Sequence, residues 1–225
     1  MKIIAKIKTD FPTKFGIPRQ SGLIDNVATI VFEKEYRFDE ALRGIEEYSH
    51  LWLLWEFSEV KDKEWSPTVR PPRLGGNKRV GVFATRSPFR PNPVGLSCVE
   101  LLGCEKTNEG TVLIVKGADL MNNTPIYDIK PYIPYVDCKP EAKGSFSEEK
   151  KNYALFVECA EDSLSLIPTE KQSPLLQLLS QDPRPAYIDD PARIYGFEYA
   201  GFEVKFKVEN DTLFVIDVKL LNNSC

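Results

Sequence analysis

The sequence predicts a mainly β protein: a β-barrel or strongly curved sheet, followed by a smaller α+β C-terminal domain. Its apolar segments are short and rich in β-branched and aromatic residues, which is typical of strands. Its 13 glycines and 17 prolines interrupt the chain so often that little room is left for long helices. A polar segment at 140–152 separates two regions of different composition, so we expect one domain over 1–139 and another over 153–225.

The first domain is expected to begin with strands at Lys2–Lys8 and Thr29–Phe32, separated by a loop rich in proline and glycine. Asp39–Tyr48 contains good helix formers and predicts a helix with Asp39 as its N-cap. Ser49–Phe57 is a continuous apolar and aromatic run, which predicts a strand buried on both faces.

Two further strands, Ser97–Leu102 and Thr111–Lys116, are expected on either side of a turn at Asn108–Gly110. After that hairpin, the proline-interrupted segment Asp119–Pro134 carries the charged residues Asp119, Asp128 and Lys130.

In the second domain we expect a strand at Tyr153–Glu158 and a short helix at Pro174–Ser180. Period-2 patterning over Phe197–Lys207 and Thr212–Val218 predicts a hairpin that turns at Asn210–Asp211. Strands paired around one helix give this region its α+β character.

Composition excludes several classes of protein. The chain has 42% hydrophobic residues and a net charge of −4, so it can bury a core and is not a basic nucleic-acid coat. Its five cysteines form no CxxC pair and its single histidine is far from them, which argues against a metal site or a disulfide framework. No signal peptide is apparent, and the longest apolar run, Leu51–Trp55, is too short for a membrane span. We therefore expect a soluble cytoplasmic protein that binds neither metal nor membrane.

The segment Arg70–Leu96 contains six basic residues and no acidic one. Prolines at three of the six positions from Pro88 to Pro93 stiffen its second half, so Arg90 and Asn92 lose little entropy when they bind a ligand. The segment predicts either a rigid cationic site for an anionic or nucleotide-like ligand or a rigid corner whose arginines bind only backbone carbonyls. No GxGxxG or GxxxxGK[ST] motif is present, so neither a Rossmann nor a P-loop nucleotide site is indicated.

Asp128, Lys130 and Tyr132 alternate in sequence and would share one face of an extended strand. This trio could bind a substrate, position it or move a proton, but a simple surface ion pair is the better explanation of an isolated Asp-x-Lys. His50, beside the aromatic run, fits a hydrogen-bonded structural residue better than a catalyst.

Five motifs together resemble one known family. They read GIPRQSG at 16–22, SHLW at 49–52, RPPRLGGNKRVGVFATRSPFRPNPVGLS at 70–97, TPIYDIKPY at 124–132 and QDPRPAY at 181–187. In this order, and over nearly the whole chain, they are similar to the TsaA-like family of tRNA methyltransferases.

The resemblance implies a β-barrel that binds S-adenosylmethionine (SAM) outside the Rossmann class, and a homodimer whose active sites lie near the subunit boundary. It also implies methylation of N6 of N6-threonylcarbamoyladenosine at position 37, in the anticodon loop of tRNA. Two alternatives stay open. One is a non-catalytic RNA- or nucleotide-binding β-barrel that retains a SAM pocket, and the other is a small-molecule methyltransferase.

The resemblance also implies which residues form the site. Cofactor contacts are expected at Arg19, Gln20, Ser21, Ser58, Glu59, Arg86, Leu96, Asn122, Asn123, Thr124 and Pro125. Asp128, Lys130 and Tyr132 are the candidates for positioning the substrate or removing its proton. Contacts to tRNA are expected at Arg70, Arg73, Lys78, Arg90, Asn92 and Arg184.

Overall fold

The structure, a computed structural model, describes residues 1–60, 64–71, 78–145, 153–185 and 190–221. Within these ranges strands dominate and the α-helices are short. The mainly β class predicted from the sequence is therefore confirmed. No helix in these ranges is long and apolar enough to span a membrane.

The described residues form these strands and α-helices, in chain order. The strands are β1 (Ala5–Lys8), β2 (Val27–Phe32), β3 (His50–Glu56), β4 (Thr68–Val69), β5 (Val80–Gly81), β6 (Val94–Thr107), β7 (Gly110–Lys116), β8 (Pro125–Pro131), β9 (Phe156–Glu158), β10 (Tyr195–Tyr199), β11 (Phe202–Glu209) and β12 (Thr212–Leu220). The helices are α1 (Pro134–Asp137), α2 (Glu161–Leu164) and α3 (Thr169–Ser180).

Six strands form a closed barrel in the order β1-β2-β7-β6-β3-β8, and β8 pairs with β1 to complete the ring. Side chains that alternate along each strand fill the interior, including Ile7, Ile30, Leu53 and Leu113, which are fully buried. The small ribbon of β4 and β5 lies outside the ring. The barrel therefore encloses a packed apolar core, and any ligand site must lie at its rim or on its outer face.

The second sheet has the order β10-β11-β12-β9 and packs its apolar face against α3. Phe11 and Ile24, from the loop between β1 and β2, belong to this second core and are almost completely buried. Gly16 in the same loop has φ +87°, and a Cβ there would lie 2.4 Å from Cδ2 of Phe197. The loop of the first sheet is thus anchored in the core of the second.

The predicted helix over Asp39–Tyr48 is wrong. The chain forms two short 3-10 turns, Asp39–Leu42 and Ile45–Glu47, because Gly44 between them has φ 84° and breaks the right-handed path. Asp39 is not an N-cap, since its carboxylate accepts a hydrogen bond from Oγ1 of Thr111 at 2.6 Å.

Two strand predictions also need correction. β3 is buried on one face only, because Leu51 and Leu53 point into the barrel while Trp52 and Leu54 face outward and are half-buried. Phe197–Lys207 is not one strand, because the chain turns at Ala200–Gly201 with φ of 50° and 84°. The predicted turn at Asn210–Asp211 is confirmed by the pairing of β11 with β12.

Candidate functional site

A cavity of about 540 Å³ lies at the rim of the barrel, where β3 ends and β6 begins. This volume falls within the usual range for small-molecule sites. Its lining combines apolar side chains, three arginines and three carboxylates. The lining residues are Lys14, Ile17, Pro18, Arg19, Gln20, Trp55, Glu56, Phe57, Ser58, Glu59, Val60, Thr85, Arg86, Pro88, Arg90, Val94, Gly95, Leu96, Asp119, Met121 and Thr124.

Hydrogen bonds connect the loop at 16–22 to both sides of the cavity. Arg19 Nη2 donates to the carbonyl oxygens of Asp182 and Arg184 at 2.5 and 3.2 Å. Gln20 donates to the carbonyl of Arg19 and accepts from Nη1 of Arg86. A continuous chain of hydrogen bonds therefore runs from the turn at 182–184, through Arg19 and Gln20, to Arg86.

The turn that receives Arg19 is itself rigid. Nε and Nη2 of Arg184 donate to the two carboxylate oxygens of Asp182 at 2.8 and 2.9 Å, and the Tyr153 hydroxyl donates to the same carboxylate at 3.1 Å. Burial raises the pKa of Asp182, but its bonds to Arg184 outweigh that and hold the pKa below the ordinary value. Arg184, predicted to contact tRNA, is only 12% exposed and holds this turn in place.

At the floor of the cavity, hydrogen bonds link the side chains of Trp55, Ser97 and Asp119. Nε1 of Trp55 donates to Oγ of Ser97 at 2.9 Å, and Oγ of Ser97 donates to Oδ1 of Asp119 at 2.5 Å. Gly95 makes this arrangement possible, because a Cβ there would lie 2.2 Å from Cε2 of Trp55. Burial raises the pKa of Asp119, and donors around it partly offset that effect.

A second acidic group, Glu56, lines the cavity at the end of β3 and is only 6% exposed. The hydroxyl of Tyr127 donates to its Oε1 at 2.5 Å. Burial, together with the hydrogen bond and charge of Glu56, raises the pKa of Tyr127 to about 12. Tyr127 reaches Glu56 at the point where the register of β8 against β3 shifts between Leu54 and Trp55.

The predicted cofactor residues divide into two groups. Those that line the cavity are Arg19, Gln20, Ser58, Glu59, Arg86, Leu96 and Thr124. The others border it: Ser21 Oγ accepts from the backbone N–H of Cys98 at 3.2 Å, Asn122 and Asn123 form the turn before β8, and Pro125 is the first residue of that strand. That turn is fixed by backbone bonds from Asn122 to Phe11 and from Asn123 to Ile7, both at 2.8 Å.

The predicted tRNA residues occupy varied positions. Arg70, Lys78 and Asn92 are exposed, and Arg73 lies outside the described residues. Arg90 lines the cavity, and its Nη1 donates to the carbonyls of Thr85 and Ser87 at 3.1 Å. Nη1 of Arg90 therefore stabilises the loop at 85–90 by binding backbone carbonyls, as expected for the alternative of a rigid corner.

The predicted catalytic trio lies on the outer face of the barrel. Nζ of Lys130 is 2.9 Å from Oδ2 of Asp128, and the Tyr132 ring is 5.7 Å from that of Trp52. The strand register places Asp128 opposite Leu54, and Leu54 opposite Leu96. Directly opposed side chains share a face of a sheet, so Asp128 and the cavity-lining Leu96 lie in one row, about 10 Å apart.

Sequence reasoning did not identify Trp55, Glu56 and Asp119 as site residues. The sequence could have indicated Glu56, because it directly follows an apolar run and acidic residues are rarely buried unless they have a partner. Asp119 gave no such indication, because its position depends on Ser97 and Ser21, which are distant in sequence.

The fold and the cavity define a mainly β protein with a small-molecule site at a barrel rim. The tRNA-methyltransferase O N-terminal domain model matches residues 6–138, and the TrmO C-terminal domain model matches residues 140–221. The chain therefore belongs to the TrmO family.

Individual relatives agree. The chain is 40% identical to the tRNA (adenine(37)-N6)-methyltransferase of Escherichia coli over 214 residues, 91% of each chain. It is 38% identical to a putative S-adenosylmethionine-dependent methyltransferase of Pseudomonas aeruginosa, over 96% of this chain and 95% of the relative. A crystal structure of TrmO from Pseudomonas aeruginosa matches with a TM-score of 0.75 and 32% identity, over 96% of each chain.

Proposed function

We propose that this protein transfers the methyl group of SAM to N6 of adenine 37 in tRNA. Membership of the TrmO family and the name of the Escherichia coli relative support this reaction. The observation that carries the proposal is the rim cavity, because seven of the residues that the family resemblance assigns to the cofactor line it.

The cavity has the chemistry that SAM requires. Apolar contacts from Phe57, Val60 and Leu96 suit the adenine ring, while Arg19 and Arg86 suit a carboxylate. When bound, SAM supplies a methyl group activated by the positive charge of its sulfonium. The protein holds the two reactants in line and excludes water from them.

We propose further that the substrate adenosine already carries a threonylcarbamoyl group on N6. That nitrogen belongs to a ureido group, which is a poor nucleophile while its proton is in place. The basic residues Arg70 and Lys78 are exposed and precede the cavity-lining residues Thr85 and Arg86 in sequence, and they suit the tRNA phosphates and the threonyl carboxylate.

Asp128 is proposed to position this substrate or accept the N6 proton, with Lys130 and Tyr132 beside it. Its carboxylate is half exposed on the outer face, in the same row as Leu96. Asp128 and Leu96 are about 10 Å apart on the outer face of one chain. An acceptor adenosine could therefore contact both residues only by lying along this face. The family resemblance supports a homodimer in which this face lies near the subunit boundary.

We also propose a cytoplasmic location, which suits a tRNA substrate, and a division into domains at 1–139 and 153–225. The two separate sheets and the boundary between the two matching family models support this division. The loop at 10–24 is shared, since it belongs to the first domain in sequence and to the second core in space.

The reaction is tested with labelled SAM and two tRNA substrates, one bearing threonylcarbamoyladenosine and one with unmodified adenosine at position 37. We expect methyl transfer to the first only, with the product nucleoside identified by mass spectrometry. Transfer to both would remove the threonylcarbamoyl requirement. Binding of SAM and tRNA without transfer would favour a non-catalytic binding protein instead.

The role of Asp128 is tested by Asp128→Asn, with Lys130→Met as its companion. We expect the Asp128 variant to bind SAM normally and to lose methyl transfer by about a hundredfold or more, the usual range for a general base. Full activity in this variant would rule out Asp128 as positioning or proton-accepting group.

A further inference from the structure

The carboxylate of Asp119 is a charged group of the cavity to which the family resemblance assigns no role. It lies next to the loop at 16–22, which it meets through the backbone N–H of Ser21. Its side chain also lines the cavity, so one side contacts the protein and another faces the space for a ligand.

The hydrogen-bond directions around Asp119 are fixed. The indole of Trp55 can only donate, so the Ser97 hydroxyl must accept that bond and give its own proton to Asp119. Backbone N–H groups and the Arg86 guanidinium also lie close to Asp119. All of these neighbours present donors or positive charge, which favours the carboxylate form and partly offsets the rise in the pKa of Asp119 that burial causes.

Arg86 acts on Asp119 through its charge, and no hydrogen bond or ion pair joins the two side chains in the described structure, where Nη1 of Arg86 donates to Gln20. A guanidinium and a carboxylate therefore line the same cavity without closing on each other. A ligand that carries a carboxylate and an ammonium on one carbon atom can fit between them, and the methionyl end of SAM is such a zwitterion.

We infer that Asp119 is a cofactor-binding residue that accepts the α-ammonium of SAM, while Arg86 receives its carboxylate. This inference rests on the proposed use of SAM. A half-buried carboxylate on the cavity floor is well placed for a permanent part of the ligand. The methyl group, by contrast, must be presented toward the open side, where tRNA approaches.

The test is calorimetric binding of three ligands to the full-length protein: SAM, S-adenosylhomocysteine and 5′-methylthioadenosine, which lacks the amino acid. In Asp119→Asn we expect the first two to bind about tenfold to a hundredfold more weakly, the cost of losing a bond to a charged group. Binding of 5′-methylthioadenosine should not change. Asp211→Asn, at an exposed turn of the second sheet, is the matched control and should bind all three as the wild type does.

Each other outcome overturns the inference in a distinct way. Unchanged binding of all three ligands removes Asp119 from the site. Weaker 5′-methylthioadenosine binding assigns the carboxylate to the nucleoside, and a loss confined to SAM assigns it to the sulfonium. Wild-type protein that binds none of the ligands would refute the proposed function itself, as well as this inference.

Thermal unfolding and circular dichroism check that Asp119→Asn folds. If it does not, the wild type is titrated with S-adenosylhomocysteine and with its analogue in which a hydroxyl replaces the α-amino group. We expect the analogue to bind at least about tenfold more weakly, because it offers no cation to the carboxylate. Equal affinity of the two ligands would overturn the inference without any variant.

Discussion

Substitution of Gly95 by alanine is expected to damage both the stability and the ligand site of the protein. The new Cβ would lie 2.2, 2.4 and 2.6 Å from three ring atoms of Trp55. Carbon atoms in contact prefer about 3.5–4.0 Å, so the indole must move by roughly 1 Å or more. Gly95 and Trp55 both line the cavity, and the moved ring would change its shape.

The expected loss of stability in Gly95→Ala has two parts. Overpacking of a dense core costs about 1–3 kcal/mol. Displacement of the indole also breaks its 2.9 Å bond to Ser97, which is worth about 1 kcal/mol. The total of about 2–4 kcal/mol corresponds to a drop in Tm of roughly 4–16 °C for a chain of this size.

Thermal unfolding by calorimetry measures this loss, and titration with SAM measures the effect on the cavity, where we expect weaker binding. Gly81→Ala is the matched control, because its φ is −58° and a Cβ there meets nothing within 4 Å. It should change stability by no more than about 0.5 kcal/mol. A Gly95→Ala protein as stable as this control would refute the reasoning. So would a cost that stays the same in a Trp55→Leu background, where the clashing ring is absent.

Three further predictions follow from the polar contacts. Tyr127→Phe should lose less stability than the wild type between pH 10 and about 12 in denaturant titrations, because the raised pKa of Tyr127 lets the unfolded chain ionise first. Arg184→Met should flatten the loss of stability as the pH falls below 3.8, since the lowered pKa of Asp182 stabilises the fold only while its carboxylate is ionised; an unchanged acid limb would contradict this. Lys78→Gln should reduce the salt slope of tRNA binding by about one, measured by filter binding, whereas Arg184→Met should leave that slope as it is.

Local patterns predicted much of the fold. Period-2 alternation located strands in both sheets. The turn residues Asn210 and Asp211 located the C-terminal hairpin because Asn and Asp favour turns, and Asn210 has φ 54°. The predicted helix at Asp39–Tyr48 failed because one residue, Gly44, takes a left-handed conformation that composition does not reveal. A glycine inside a short helical pattern weakens the prediction of a helix, even where the residues around it are good helix formers.

The site was predictable only where motifs mark it. Arg19, Gln20 and Arg86 lie in recognisable motifs and do line the cavity. Arg184 also lies in a motif, but its guanidinium is paired with Asp182, a contact set by a turn with φ 52° at Asp182. A sequence gives the charge of an arginine, whereas its availability depends on partners that only the folded chain brings near.

The C-terminal region supports the rim cavity through its backbone, even though no side chain of its described residues lines that cavity. The Asp182–Arg184 turn presents two carbonyls to Arg19, and Gln20 passes this constraint to Arg86. Phe11 and Ile24 fix both ends of the same loop in the second core. Local opening of the second sheet would therefore release the loop and weaken SAM binding before the barrel itself unfolds, since regions of a protein open with different free energies. Hydrogen exchange should show this as slower exchange in the loop at 16–22 and in the 182–184 turn together when SAM is added. Protection confined to the barrel strands would mean that the second core does not shape the cavity.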